Sequence, residues 1–162
     1  MGHIVSDEGV KVDPNKIKVI KEWKVPTTIK QLLGFLRLTG YYHKFVKNYG
    51  RIAAPLATLL KKDAFSWTPE ATKAFERLKE AMCLAPVLAT PDFTKTFIVE
   101  CDASGNGIGV VLMQEGRPIA FEIHLIKGNY LQKSIYEKEM LEILHELMKW
   151  HLCLMGRHFK VK

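Results

Sequence analysis

A change of period constrains this chain more than any other feature. Residues 69–83, PEATKAFERLKEAMC, return an apolar side chain every three or four positions, the repeat of one face of an α-helix. Residues 97–121, FIVECDASGNGIGVVLMQEGRPIAF, instead run apolar in short blocks divided by glycines and turn residues, the pattern of strands. Between them lies LAPVLATPDFTK, whose Pro86 and Pro91 lack the N–H that either element needs. The stretch is expected to be an extended connector and a boundary, with a helical part over residues 1–85 and an α+β part over residues 86–162.

Ahead of the connector, HIVSDEGVKV alternates around Asp7-Glu8-Gly9 and reads as a short hairpin. DPNKIKVIKEW begins a helix, with Asp13 as its cap and Pro14 at the first helical position, where a missing N–H costs nothing. Ile17, Ile20 and Trp23 recur near the helical repeat, and Pro26 ends the segment. From Thr28 to about Lys47 the spacing predicts one amphipathic helix with Ile29, Leu32, Leu33, Leu36 and Leu38 inward. A third helix follows Arg51, with Pro55 tolerable only in its first turn. A fourth runs through SWTPEATKAFERLKEAM, capped by Thr68, with Ala71, Phe75, Leu78 and Met82 on one side.

Past the connector, TFIVECD, GIGVVLMQ and RPIAFEI are three strands, and Glu115-Gly116 makes a tight turn between the last two. Connections this short imply an antiparallel meander. KGNYLQK reads as a loop, and a helix from Ile135 to about Leu154 opens on the capping box Ser134-Ile135-Tyr136-Glu137. Its buried stripe is expected to be Tyr136, Met140, Ile143, Leu144 and Leu147. GRHFKVK supplies a C-cap glycine and the opening of a fourth strand.

At 162 residues and 48% apolar content the chain can bury a core, as one compact domain or two small ones. No window approaches the roughly 18 apolar residues that span a bilayer, so no membrane partner is expected, and the place of action is expected to be intracellular, in cytoplasm or nucleus. Cys83, Cys101 and Cys153 are odd in number and set among apolar neighbours, as reduced core thiols are, and the histidines show no ligand spacing. Charge is uneven: residues 1–62 hold 12 Lys and Arg against 4 Asp and Glu, whereas residues 63–162 hold 12 against 13. The first part is the candidate for touching phosphates, with a solvated surface as the alternative. Lys30, Arg37, Lys44 and Lys47 spread around the aromatic LTGYYHKF, a pattern that a solvated lysine face also explains.

Two acids stand out for chemistry. Asp102 closes the first strand where glycines let the chain turn away, and Glu139 lies in the first turns of the following helix, off its apolar stripe. Carboxylate oxygens suit Mg²⁺, and two such ions about 3.5–4 Å apart can serve phosphodiester cleavage. A pair of carboxylates is too few for that, so further acids must come from elsewhere. A turn-forming Asp, and a solvated helix face shared by Glu139, Glu142 and Glu146, are the structural alternatives.

FIVECDASGNGIGVVLMQEGRPIAF, SIYEKEMLEI and GRHFKVK resemble the first half of the ribonuclease H domain in polyproteins of Ty3/gypsy-type LTR retrotransposons. GHIVSDEGVKVDPNKI, FLRLTGYYHKFVKNYGRIAAPL and FSWTPEATKAFERLKEAMCLAPVLATPDF resemble the end of the reverse transcriptase palm, the thumb and the connector of the same family. The resemblance is colinear over nearly the whole chain. It implies a helical thumb and connector followed by an incomplete ribonuclease H-like fold: a three-stranded antiparallel meander, a covering helix and the start of a fourth strand. It implies Asp102 and Glu139 as metal-binding catalytic acids, with Mg²⁺ or Mn²⁺ as cofactor, and leaves Glu137 to the capping box. It further implies Lys30, Arg37, Tyr41, His43 and Lys44 near an RNA–DNA hybrid or DNA duplex, with the rest of the polyprotein as partner. The parent enzyme copies RNA into DNA and hydrolyses RNA in hybrids.

Departures from the family pattern bear on activity. A TDH segment usually follows the position of Lys162 and supplies a third carboxylate, with a fourth further on, and neither stands in this chain. The polymerase fingers and the palm aspartate pair are missing too, so the chain is not expected to copy a template alone. Arg37 replaces a usual glycine, His43 a usual arginine, Ile123 a common serine and Glu142 a common alanine. Hybrid cleavage is therefore expected to be weak or absent. A non-catalytic nucleic-acid-binding remnant, and an interaction remnant with an open sheet edge, are the rival readings.

Overall fold

The computed structural model describes residues 2–61, 64–104, 107–125 and 134–162, without the side chains of residues 102–104, 107, 123–125, 135, 138, 139 and 142. Strands β1 (His3–Ser6) and β2 (Gly9–Val12) form the expected hairpin, with Ser6 opposite Gly9. Gly9 takes φ +132°, and a Cβ there would lie 2.1 Å from the Leu88 carbonyl oxygen. That closeness exists because the connector docks on the hairpin: Val10 and Leu88 exchange both backbone hydrogen bonds at 2.8 Å. The connector is extended, yet Leu88 is buried in the helical core.

Helix α1 (Pro14–Lys21) is capped by the Asp13 carboxylate, which accepts from the Asn15 N–H at 2.8 Å, and it stops before Pro26 is reached. Helix α2 (Ile29–Tyr41) starts where Thr28 caps Gln31. It does not run to Lys47 as the spacing predicts. The Thr39 hydroxyl bonds back to the Phe35 carbonyl at 3.0 Å and Gly40 follows, both weakening the helix there. The chain breaks at Tyr42 into a 3₁₀ turn, His43–Phe45, which buries Tyr42, Phe45 and Val46 together. The inward face of α2 is Leu32, Phe35 and Thr39, while Ile29 is exposed.

Helix α3 (Tyr49–Thr58) begins ahead of Arg51, so Pro55 falls in its interior rather than its first turn. An interior proline costs on the order of 3 kcal/mol. Burial of Ala53 and Leu56 on the same helix, and of Leu59 at its C-cap, offsets that cost. Helix α4 (Pro69–Cys83) is capped by Thr68 as expected and buries Ala71, Ala74, Phe75, Leu78 and Met82. Phe75 meets Phe35 with ring centroids 4.6 Å apart, joining α4 to α2 at the centre of the first core.

Strands β3 (Phe97–Ser104), β4 (Gly107–Gln114) and β5 (Arg117–Leu125) form the antiparallel meander. Glu115 and Gly116 turn with φ +49° and +76°, a geometry whose handedness matches the twist of the flanking strands. Pro118 is accommodated because β5 lies at the sheet edge, where its carbonyl accepts from the connector's Ala89 N–H at 2.7 Å. The buried Gln114 amide clips the connector's other end, accepting from the Asp92 N–H and donating to the Asp92 carbonyl.

The capping box opens helix α5 (Ile135–Lys149), with the Ser134 side chain accepting from the Glu137 N–H and the Glu137 carboxylate from the Ser134 N–H. Trp150 breaks the helix before the short α6 (His151–Leu154), Gly156 then takes φ +71°, and β6 (Phe159–Val161) adds parallel to β3. The sheet order is β5-β4-β3-β6.

The expected buried stripe of α5 is met at Leu147 and not at Tyr136, Met140 or Leu144. Tyr136 is 83% exposed, Met140 58% and Leu144 50%, whereas Leu147, Trp150, Cys153 and Leu154 pack with Phe97, Val99, Ile108, Val110 and Leu112. The helix is apolar along two lines, and a period cannot say which of them the sheet will take. Glu146 is fully buried, so it does not share a solvated face. No disulfide joins the three cysteines, and Cys83 is exposed rather than a core thiol. The loop expected over KGNYLQK lies outside the described residues.

Candidate nucleic-acid interface and acidic pair

Lys30, Arg37 and Tyr41 stand on the solvent side of α2. Seven residues are two helical turns, so Lys30 and Arg37 sit one above the other, about 10 Å apart along the axis. Tyr41 closes the row. It is 38% exposed, and its ring stacks on His3 of β1 at 5.2 Å with 19° between planes. Burial, then the nearby Lys44, lowers the His3 pKa, which favours the neutral ring. Lys44 lies past the helix break, its Nζ 5.4 Å above the Phe45 ring.

His43 turns elsewhere. Its Nδ1 donates to the Gly40 carbonyl at 2.8 Å, and its Nε2 lies 3.4 Å from Glu122 Oε2 on β5. With Nδ1 committed as a donor, Nε2 can donate to the carboxylate only in the imidazolium form. The Glu122 hydrogen bond accordingly raises the His43 pKa above 6.5, against desolvation. Lys149 Nζ of α5 reaches the other Glu122 oxygen at 2.5 Å. Burial alone would raise the Glu122 pKa, but His43 and Lys149 outweigh it and hold the carboxyl below its ordinary range. One carboxylate thus ties the 3₁₀ turn to β5 and α5. Sequence reasoning missed this cluster; its one trace is a lone acid in the otherwise apolar IAFEI.

Asp102 lies within β3 rather than at its end, because the ladder continues past its partner Gly109 through Ala103–Ile108 and Ser104–Gly107. Glu139 is in the second turn of α5, the helix that packs on β3 and β4. The two acids therefore belong to contacting elements, although their side chains lie outside the described residues. Their donor set, carboxylate oxygen, fits a hard divalent cation. Among the described residues no group of three or more His, Cys, Asp or Glu could hold a metal. Beside β3, Lys162 follows β6: its N–H donates to Val99 and its carbonyl accepts from Cys101.

An antiparallel meander with a helix on it and a parallel strand added beside its first member is a ribonuclease H-like arrangement, and here the helices α1 to α4 precede it. Residues 67–161 match the family described as the RNase H-like domain found in reverse transcriptase, and the chain belongs to that family. It is 40% identical over 163 residues to the retrovirus-related Pol polyprotein from transposon 297 of Drosophila melanogaster, covering 99% of this chain and 15% of that protein. To the Pol polyprotein from transposon gypsy of the same fly it is 36% identical over 169 residues, covering 96% of the chain and 16% of the polyprotein. The chain thus spans about a sixth of the length of these two polyproteins. The fold is also that of the foamy viral protease-reverse transcriptase in complex with RNA/DNA hybrid, at a TM-score of 0.88 and 24% identity, covering 99% of this chain and 23% of that one.

Proposed function

We propose that the chain is the part of a retrotransposon reverse transcriptase that grips an RNA–DNA hybrid with its thumb and contributes two acids to a ribonuclease H centre. Lys30, Arg37, Tyr41 and Lys44 meet the duplex backbone and sugars, while His43, held by Glu122, orders the turn that carries Lys44. Asp102 and Glu139 hold a divalent cation. When bound, Mg²⁺ or Mn²⁺ supplies activation of the attacking water and stabilisation of the leaving oxygen.

The observation that carries this reading is the placement of Asp102 on β3 and Glu139 on α5, two packed elements in a chain that matches the family throughout that region. A full metal site needs further carboxylates. β6 is parallel to β3, and Lys162 bonds to Val99 and Cys101, one residue short of Asp102, the end of β3 at which the resemblance implies the next acid. The chain of 162 residues by itself is a hybrid binder with weak hydrolysis or none.

The experiment is a hybrid-cleavage assay run beside a binding assay. Binding that weakens with salt, no cleavage by the 162 residues, and Mg²⁺-dependent cleavage once a parental polyprotein's following residues are restored, lost in Asp102→Asn, is the expected outcome. Absence of any hybrid binding would sink the reading.

A further inference from the structure

A second basic feature is built from elements other than α2. A cavity of about 350 Å³ opens where the turn before α3 and the first residues of α3 meet α4, lined by Lys47, Asn48, Arg51, Ile52 and Arg77. Three of these five are cations, drawn from a turn and two different helices, and among the described residues no acid lines the space. Among the described residues Lys47 and Arg77 take part in no ion pair. Converging positive charges on a concave wall repel one another, and a bound anion converts that repulsion into attraction.

The backbone points the same way. Asn48 holds φ +61° and its side chain caps nothing, so no side chain claims the N–H groups of the first turn of α3, a ten-residue helix. The walls are stiff, because Ala53 and Leu56 of α3 and Ala74, Phe75 and Leu78 of α4 are buried in one core. The Arg77 guanidinium fork and the Lys47 ammonium favour a tetrahedral oxyanion over a lone halide, since a fork can offer parallel N–H donors to two oxygens.

We propose that this cavity takes a phosphodiester group of the bound nucleic acid, a second anchor point separate from the Lys30–Arg37–Tyr41 row. The idea rests on the hybrid-binding reading above and adds to it which residues fix the duplex beyond α2.

The test measures affinity for a fluorescein-labelled RNA–DNA hybrid by anisotropy across a series of KCl concentrations. Each phosphate contact contributes about 0.9 to the slope of log K against log salt. Lys47→Gln/Arg77→Gln is expected to lower that slope by about one to two, with Lys18→Gln/Lys21→Gln on α1 leaving it closer to the parent value. Lys47→Arg/Arg77→Lys, which keeps both charges, is expected to restore it. Both side chains are exposed, so the fold is expected to survive, and a melting curve of each variant checks that. An unchanged slope in the folded Gln variant, with the parent chain binding normally, overturns the cavity while sparing the hybrid-binding reading. If the parent chain binds no hybrid, inorganic phosphate is titrated into ¹⁵N-labelled protein. Shifts of the Gly50 and Arg51 amides that vanish in the Gln variant support the cavity as a phosphate site, and no shift overturns it.

Discussion

His43 Nε2 faces Glu122 Oε2 across 3.4 Å, and the contact joins a turn of the helical part to the edge strand of the sheet. The pair predicts how stability follows pH. The Glu122 hydrogen bond raises the His43 pKa from 6.5, so its stabilisation is complete below that value and is lost as pH rises through the higher folded one. The Glu122 pKa is lowered from 4.5, by His43 and Lys149 prevailing over burial, so its stabilisation holds above 4.5 and is lost as pH falls through the lower folded value. Stability from the pair is therefore greatest between these two ordinary values. The His43 ring, followed by NMR, is expected to titrate above 6.5 and to fall back toward it in Glu122→Gln. A midpoint unchanged by that substitution would contradict the pairing.

Gly9 makes a second prediction. Its φ of +132° suits glycine, and a methyl group would strike the Leu88 carbonyl oxygen at 2.1 Å. Gly9→Ala has to give up either the turn geometry or the Val10–Leu88 pair that fastens the connector. A loss of more than about 2 kcal/mol is expected in denaturant unfolding, combining backbone strain with broken hydrogen bonds. Gly2→Ala, where nothing lies within 4 Å, serves as the comparison and is expected to be neutral.

The C-terminal helices supply the third. Leu154 is 5% exposed against the sheet, while Leu152, two residues away, is 77% exposed. Leu154→Ala is expected to cost about 2–5 kcal/mol. Leu152→Gln is expected to cost less than about 0.5 kcal/mol. Equal losses from the two would mean that α6 packs by its other side.

Much of this fold is legible in local chemistry. The Asp13, Thr68 and Ser134 caps, the hairpin at Gly9, the Glu115-Gly116 turn and the meander all follow from residues within a few positions of each other. What sequence reasoning missed was decided at a distance. The break at Tyr42 depends on burying Tyr42, Phe45 and Val46 against elements far along the chain, and Pro55 is held inside α3 by packing on α4. The choice between the two apolar lines of α5 belongs to the sheet. The same holds for function: the row Lys30, Arg37 and Tyr41 can be read from helical spacing. Glu122 joining His43 to Lys149 cannot, because those residues lie on three elements that only the fold brings together.

The last prediction concerns Asp102 and Glu139. Two carboxylates carried by packed elements bind a divalent cation weakly, because Mg²⁺ keeps most of its water unless more oxygens replace it. Titrating Mg²⁺ into ¹⁵N-labelled protein is therefore expected to shift the amides around Asp102 and its ladder partner Gly109, with saturation only at millimolar metal. Asp102→Asn or Glu139→Gln is expected to weaken that response at least tenfold, since each removes half of the charge that draws the ion. Hybrid binding measured without divalent metal is expected to be unchanged in both, because the proposed contacts are the cations of the helical part. A Mg²⁺ response that survives both substitutions would separate the metal from this pair.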